Sequence, residues 1–213
     1  MSSNAVEIFQ ILKEMYPDVP KTYLNYRNPF EMLIVTILSA RATDKGVNKI
    51  SPLLFEKYPT PEKMGKANLD EVGQIIRPLG AYNKKAGYIT ETSRQLVERF
   101  GSEVPRNMED LITFPGVSRK TANVVLSVVF GISEGVVVDT HIMRVSVRLG
   151  LSEHDKKPDK IEKDLMELLP KEYWGHYAKL AGAHGRQTCK ARKPHCVECL
   201  LNRLCPSAEL DEK

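Results

Sequence analysis

All four cysteines of the chain fall within seventeen residues, as Cys189, Cys196, Cys199 and Cys205 in the spacing C-x6-C-x2-C-x5-C. Thiols this close argue for metal ligation more than for disulfides in a chain without an export signal, although two disulfides would admit three pairings. A structural zinc site usually shows two CxxC-like halves. Here there is one, flanked by longer arms, and an iron–sulfur cluster held by four thiolates fits at least as well. His195, next to Cys196, reads as a bystander. Between the first two cysteines lie Lys190, Arg192 and Lys193, so ligation would hold three cations in place. Cations ordered in advance meet phosphates at a lower entropy cost than a floppy arm does.

A second constellation is "FPGVSRKTANVVL", in which Arg119 and Lys120 stand at the front of an apolar helix. Adjacent cations at the positive end of a helix dipole are disfavoured by about 0.3–1 kcal/mol each, a cost that a bound phosphate would offset. Pro115 stops the preceding helix, Gly116 permits positive φ, and Ser118 is a good N-cap for the next. The plain alternative is a solvated turn with both cations in water. Partial burial and the neighbouring Arg119 would lower the pKa of Lys120, and a neutral amine attacks electrophilic carbon to form a Schiff base. In "GVVVDTHIMRVSVRLG", Asp139 begins a helix, where capping alone would explain it. A carboxylate brought near Lys120 could in addition activate the amine and stabilise a cationic transition state. His141 and Arg144, one turn apart, suit either structure or phosphate contact, with structure favoured for His141.

The elements that must position these residues are helical. With 213 residues, 42% hydrophobic and 27% charged, the chain can bury a real core in one large domain or two small ones. Helical spacing predicts helices near 5–15, 29–40, 44–57, 70–77, 84–100, 107–113, 118–130, 140–149, 158–169 and 173–187. Connections are short, at 58–61, 78–83, 101–106 and 150–158. The β-branched run at 136–138 is short and reads as a buried connection, so the fold class is all-α. "PFEMLIVTILSA" and "TANVVLSVVFG" are apolar almost all round, as helices at the centre of a bundle are. The acidic end, "ELDEK", reads as a frayed tail. The net charge of +4 is mild, but residues 185–205 carry five cations against one anion and so match the net charge of the whole chain. The stretch "MSSNAVEIFQILKEMYPDVP" reads as an amphipathic helix rather than a signal peptide, no apolar run reaches membrane length, and an intracellular location is expected.

Together these stretches resemble one family. "LITFPGVSRKTANVVL", "VVVDTHIMRV" and "HGRQTCKARKPHCVECLLNRLC", with "LIVTILSARATD" and "LGAYNKKA", are closely similar to bacterial and archaeal endonuclease III from about Phe9 to Cys205. The resemblance implies a bifunctional DNA glycosylase and abasic-site lyase of base excision repair, acting on oxidised pyrimidines in damaged double-stranded DNA. Lys120 matches the family's nucleophilic lysine and Asp139 its catalytic aspartate. The four cysteines match the ligands of one [4Fe–4S] cluster that the reaction does not consume. The implied fold has two helical domains. A six-helix barrel domain covers 23–133 with a helix-hairpin-helix at about 107–130, and a discontinuous cluster domain is made of 1–22 plus 134–213. A monomer acting in the cytoplasm or nucleoid, away from membranes, is expected. DNA contacts are expected at Arg41, Ala81, Gly116, Ser118, Arg119, His141, Lys190, Arg192 and Lys193.

Three positions depart from the family pattern. Ser118 stands where glycine is frequent, Arg41 where glutamine is common, and Ala81 where a larger apolar residue is common. The last two match positions that fill the gap left by an extruded nucleotide. Alanine is a poor wedge, so Arg41 is expected to carry more of the gap filling. A monofunctional mismatch or adenine glycosylase on the same scaffold is disfavoured by Lys120. A non-catalytic DNA-binding protein that senses redox state is disfavoured by the lysine and aspartate together.

Overall fold

The computed structural model describes residues 4–208, and "ELDEK" at the C-terminus lies outside them. Among the described residues there are helices and no strands, so the chain is all-α. It divides into two compact units, Thr22–Ile132 and Met1–Lys21 with Ser133–Lys213.

In the unit Thr22–Ile132 the central element is α2 (Pro29–Ser39), buried at every position from Phe30 to Leu38. Asn28 caps it by accepting from Glu31 N at 2.9 Å, and Pro29 occupies a first-turn position whose missing N–H costs nothing. Glu31 itself is buried, and Arg27 answers its charge with a 2.5 Å ion pair and an amide at 2.7 Å. Around α2 stand α3 (Asp44–Lys57), α4 (Pro61–Gly65), α5 (Leu69–Ile76), α6 (Tyr82–Phe100), α7 (Met108–Leu111) and α8 (Arg119–Val125). Met32, Leu33, Leu54, Ile89, Leu96 and Val125 meet in its core. Truncating any one of the fully buried leucines to alanine removes about 2–5 kcal/mol.

Two elements depart from the sequence expectation. The stretch after 118 is α-helical only to Val125 and continues as one π turn, Leu126–Phe130, before Gly131 ends it. Helix α6 begins at Tyr82 rather than Lys84, directly after Ala81 in left-handed conformation. The one-turn helix α4 shows no period in the sequence, because five residues are too few, although Thr60 as cap and Pro61 in the first turn mark its start.

In the discontinuous unit, α1 (Ala5–Met15) joins α9 (Thr140–Arg148), α10 (Pro158–Leu168) and α11 (Trp174–Gln187). Ile8, Leu12, Val145, Ile161, Leu165 and Tyr177 form its core. The buried Tyr177 hydroxyl is satisfied by Ser146 at 2.8 Å. Helices α9 and α11 approach closely because Gly185 has no side chain: a Cβ there would lie 2.9 Å from His141 Cβ. The run at 136–138 joins no sheet, and Val136 and Val138 are buried. Among the described residues no helix is long and apolar enough to cross a membrane.

Candidate active site and cysteine centre

The hairpin is built by its turn. Asn107 caps α7 by accepting from Asp110 N at 2.8 Å, and Val117 N donates to Phe114 O at 3.1 Å to close a four-residue turn over Pro115 and Gly116. Pro at the second position and a positive-φ glycine at the third are what a type II turn demands, and Gly116 has φ +77°. A side chain at Gly116 is excluded a second way, since its Cβ would stand 2.6 Å from the Tyr88 ring. Thr92 Oγ1 donates to Pro115 O at 3.3 Å, so α6 holds the turn from below. Ser118 caps α8 by accepting from Thr121 N at 3.2 Å, as a serine in place of glycine can. Arg119 and Lys120 follow, both exposed. The structure thus gives Lys120 an exposed position rather than the partly buried one expected.

Arg41 and Ala81, both exposed, sit in the same unit with φ of +55° and +46°. Left-handed backbone costs a non-glycine residue about 1–2 kcal/mol, and such strain persists where surrounding structure imposes it. At Ala81 one such constraint is Lys85, a buried lysine whose Nζ donates to Leu79 O at 3.0 Å and whose burial pushes its pKa down. The sequence signal for Lys85 is weak: it shares a helical face with Ile89 and Leu96, and nothing else sets it apart from the lysine beside it.

In the other unit, Asp139 caps α9 with Oδ1, which accepts from His141 N and Ile142 N at 2.8 Å each. Its Oδ2 faces Arg186 Nη2 at 3.8 Å. In the sequence Arg186 is one basic residue among five in the C-terminal segment, with no sign of this pairing. His141 Nδ1 lies 3.3 Å from Arg144 Nη2, and Arg144 donates onward to Gly185 O at 2.6 Å and Cys189 O at 3.1 Å. One turn later, Arg148 reaches Cys189 Sγ at 3.4 Å, Lys190 O at 2.7 Å and Ala191 O at 3.3 Å. Helix α9 thus begins at Asp139 and ends by holding the first cysteine and the basic loop.

None of the four cysteines is joined in a disulfide. They line one cavity of about 320 Å³, open mouth included, with His184, Leu149 and Leu201 among its other walls. No three His, Cys, Asp or Glu among the described residues gather as one metal ion requires. Burial, and then the neighbouring thiols, push the pKa values of Cys199 and Cys205 up. Lys190, Arg192 and Lys193 are exposed, Lys193 with φ +52°. His195 Nε2 lies 3.1 Å from Lys190 Nζ. Burial pulls the pKa of His184, on the cavity wall, down to about 4.

Comparisons with known proteins agree with these features. Residues 34–171 match the model of the HhH-GPD superfamily base excision DNA repair protein family. Endonuclease III of Synechocystis sp. is 47% identical over 205 residues, covering 96% of this chain and 93% of that protein. A solved endonuclease III in a non-covalent complex with DNA is 41% identical, with a TM-score of 0.90 over 98% of this chain and 96% of that one. An endonuclease III trapped as a covalent intermediate with DNA is 42% identical, with a TM-score of 0.88 and 96% of each chain covered. A chain with this hairpin, this capped aspartate and this cysteine spacing, alike over nearly its whole length to such proteins, belongs to the endonuclease III family of the HhH-GPD base excision repair superfamily.

Proposed function

We propose that this protein is a bifunctional DNA glycosylase and abasic-site lyase that removes oxidised pyrimidines from duplex DNA in the cell interior, in the cytoplasm or nucleoid. The observation that carries the reading is an exposed lysine heading a hairpin helix, in a chain 42% identical to an endonuclease III trapped covalently on DNA. The Lys120 amine attacks the sugar C1′ while the C1′–N bond to the base breaks and the base leaves with a proton. Opening of the sugar gives a protonated Schiff base at C1′. Loss of a C2′ proton then expels the 3′ phosphate by β-elimination, and water releases the lysine. Asp139 supplies the carboxylate that takes a proton from the attacking amine and balances the positive charge on the sugar. Gly116, Ser118 and Arg119 of the hairpin, with His141, Lys190, Arg192 and Lys193, contact the phosphodiester backbone. Such contacts position the duplex without reading its sequence.

Arg41 and Ala81 fill the gap left by the extruded nucleotide, Arg41 carrying the larger share because the alanine methyl cannot replace a stacked base. Arg41→Ala is expected to weaken both abasic-site affinity and base excision; unchanged values would remove this role. The four cysteines would hold one [4Fe–4S] cluster, which fits their donor set and their arrangement around a single cavity. When bound it would supply a rigid cross-link of the basic loop and no chemistry to the sugar. The domain division that accompanies this reading is 23–133 against 1–22 with 134–213, acting as a monomer.

The test is borohydride trapping on a duplex with one abasic site, with Lys120→Ala and Asp139→Asn alongside. An adduct formed by wild type and lost in Lys120→Ala is expected. No adduct from folded, cluster-loaded wild type would sink the lyase reading, and a base-release assay would then separate a monofunctional glycosylase from a binding protein.

A further inference from the structure

Beside the cysteine centre runs a buried polar chain for which neither the lyase chemistry nor DNA contact has a use. Tyr16, the residue that closes α1, places its hydroxyl 2.7 Å from Thr188 Oγ1 and 2.9 Å from His184 Nδ1. The other ring nitrogen, His184 Nε2, lies 3.9 Å from Cys199 Sγ. His184 is 2% exposed and Cys199, at 9%, is buried while the other three cysteines are only half-buried. The Tyr16 and His184 rings meet edge-on, with centroids 5.8 Å apart.

Two proton arrangements satisfy this chain. In one, Thr188 donates to Tyr16, Tyr16 donates to Nδ1, and the imidazole proton sits on Nε2, facing the sulfur. In the other, Nδ1 donates to Tyr16, Tyr16 donates to Thr188, and a bare Nε2 faces the sulfur. A thiol accepts either arrangement, since sulfur can donate or accept. A metal-bound thiolate can only accept, and a bare ring nitrogen facing it sets two lone pairs against each other. Ligation therefore selects the first arrangement, and Tyr16 keeps the ring turned to make it.

Resting on the cluster reading above, we infer that His184, oriented by Tyr16 and Thr188, donates its Nε2–H to the Cys199 sulfur and makes that ligand a weaker electron donor than a bare thiolate. His184 is thus a positioning residue of the cysteine centre, and the N-terminal helix, through Tyr16, sets the centre's electronic properties. Cys189 receives a comparable bond from Arg148 at 3.4 Å. A hydrogen bond to a cluster sulfur stabilises the more negative, reduced state and raises the reduction potential.

The test compares full-length, iron-loaded wild type with Tyr16→Phe, His184→Leu and His184→Gln. The readouts are the midpoint potential at an electrode and the Fe–S stretching bands in resonance Raman, recorded in H₂O and D₂O. His184→Leu is expected to lower the potential and to lose part of the deuterium sensitivity of a terminal Fe–S stretch. His184→Gln, which keeps an N–H at the site, should recover part of both. Tyr16→Phe, which keeps the ring and loses only the hydroxyl, should shift the potential the same way by less while the protein stays folded. A wild-type potential and deuterium shift in His184→Leu overturn the proposal. If that variant does not fold, the same result in Tyr16→Phe overturns it. Wild type isolated without iron and sulfide would overturn the cluster reading and this proposal together, an outcome told apart by missing visible absorbance before any variant is compared.

Discussion

Asp139 caps α9 through Oδ1 at 2.8 Å from two amides, a duty asparagine performs as well as aspartate. Asp139→Asn should therefore keep the thermal midpoint near wild type while base release and strand cleavage fall steeply. Asp139→Ala should lose the same activity and about 1 kcal/mol of stability besides. Calorimetry alongside a cleavage assay separates the two duties, and full activity in Asp139→Asn would leave the residue a cap and nothing more. Gly116 answers to backbone and space together. Alanine there meets a φ of +77° and the Tyr88 ring, and should cost about 2–4 kcal/mol from the left-handed penalty plus overpacking. Denaturant unfolding reads this directly, and a loss below about 0.5 kcal/mol, the size of an ordinary surface substitution, would mean the turn adapts.

Helix α9 carries the proposed carboxylate at its first turn and the cysteine loop at its last, through Arg144 and Arg148. Its packing against α1, α10 and α11 rests on apolar side chains such as Leu12, Val145 and Tyr177 rather than on the cysteines. Removing the proposed cluster by oxidation and chelation should therefore leave most of the helix signal in circular dichroism. Protease sensitivity and amide exchange should rise within residues 188–208, and DNA affinity should fall as the basic loop loosens. Cooperative loss of the whole helix signal would show instead that the centre holds the unit together.

Across the whole molecule the net charge of +4 is matched by the net charge of residues 185–205 alone, so the remaining residues balance in charge. Replacing Lys190, Arg192 and Lys193 with alanine should weaken binding to any duplex alike. It should flatten the slope of log affinity against log salt by about 0.9 for each phosphate that is no longer neutralised. Fluorescence anisotropy over a salt series measures both, and an unchanged slope would place the phosphate-binding groups elsewhere. Retained borohydride trapping at low salt would show that these cations bind DNA without taking part in the chemistry.

Features of short range were legible in the sequence by itself. Helical period, the caps at Ser118 and Asp139, the positive φ of Gly116 and the cysteine spacing all depend on neighbours within a turn or two, where residue type dictates conformation. The helix-hairpin-helix and the family resemblance follow from such local signals. Tertiary structure alone decided which polar side chains go inside. Lys85 and Lys84 are adjacent lysines, yet only Lys85 is buried, because its face of α6 is the one that packs. Tyr16 and His184 stand 168 residues apart in the chain, and they meet beside Cys199 only because α1 and α11 pack in one core. The left-handed turns at Arg41 and Ala81 belong to the same class, since no local preference of arginine or alanine favours them and the surrounding packing must impose them.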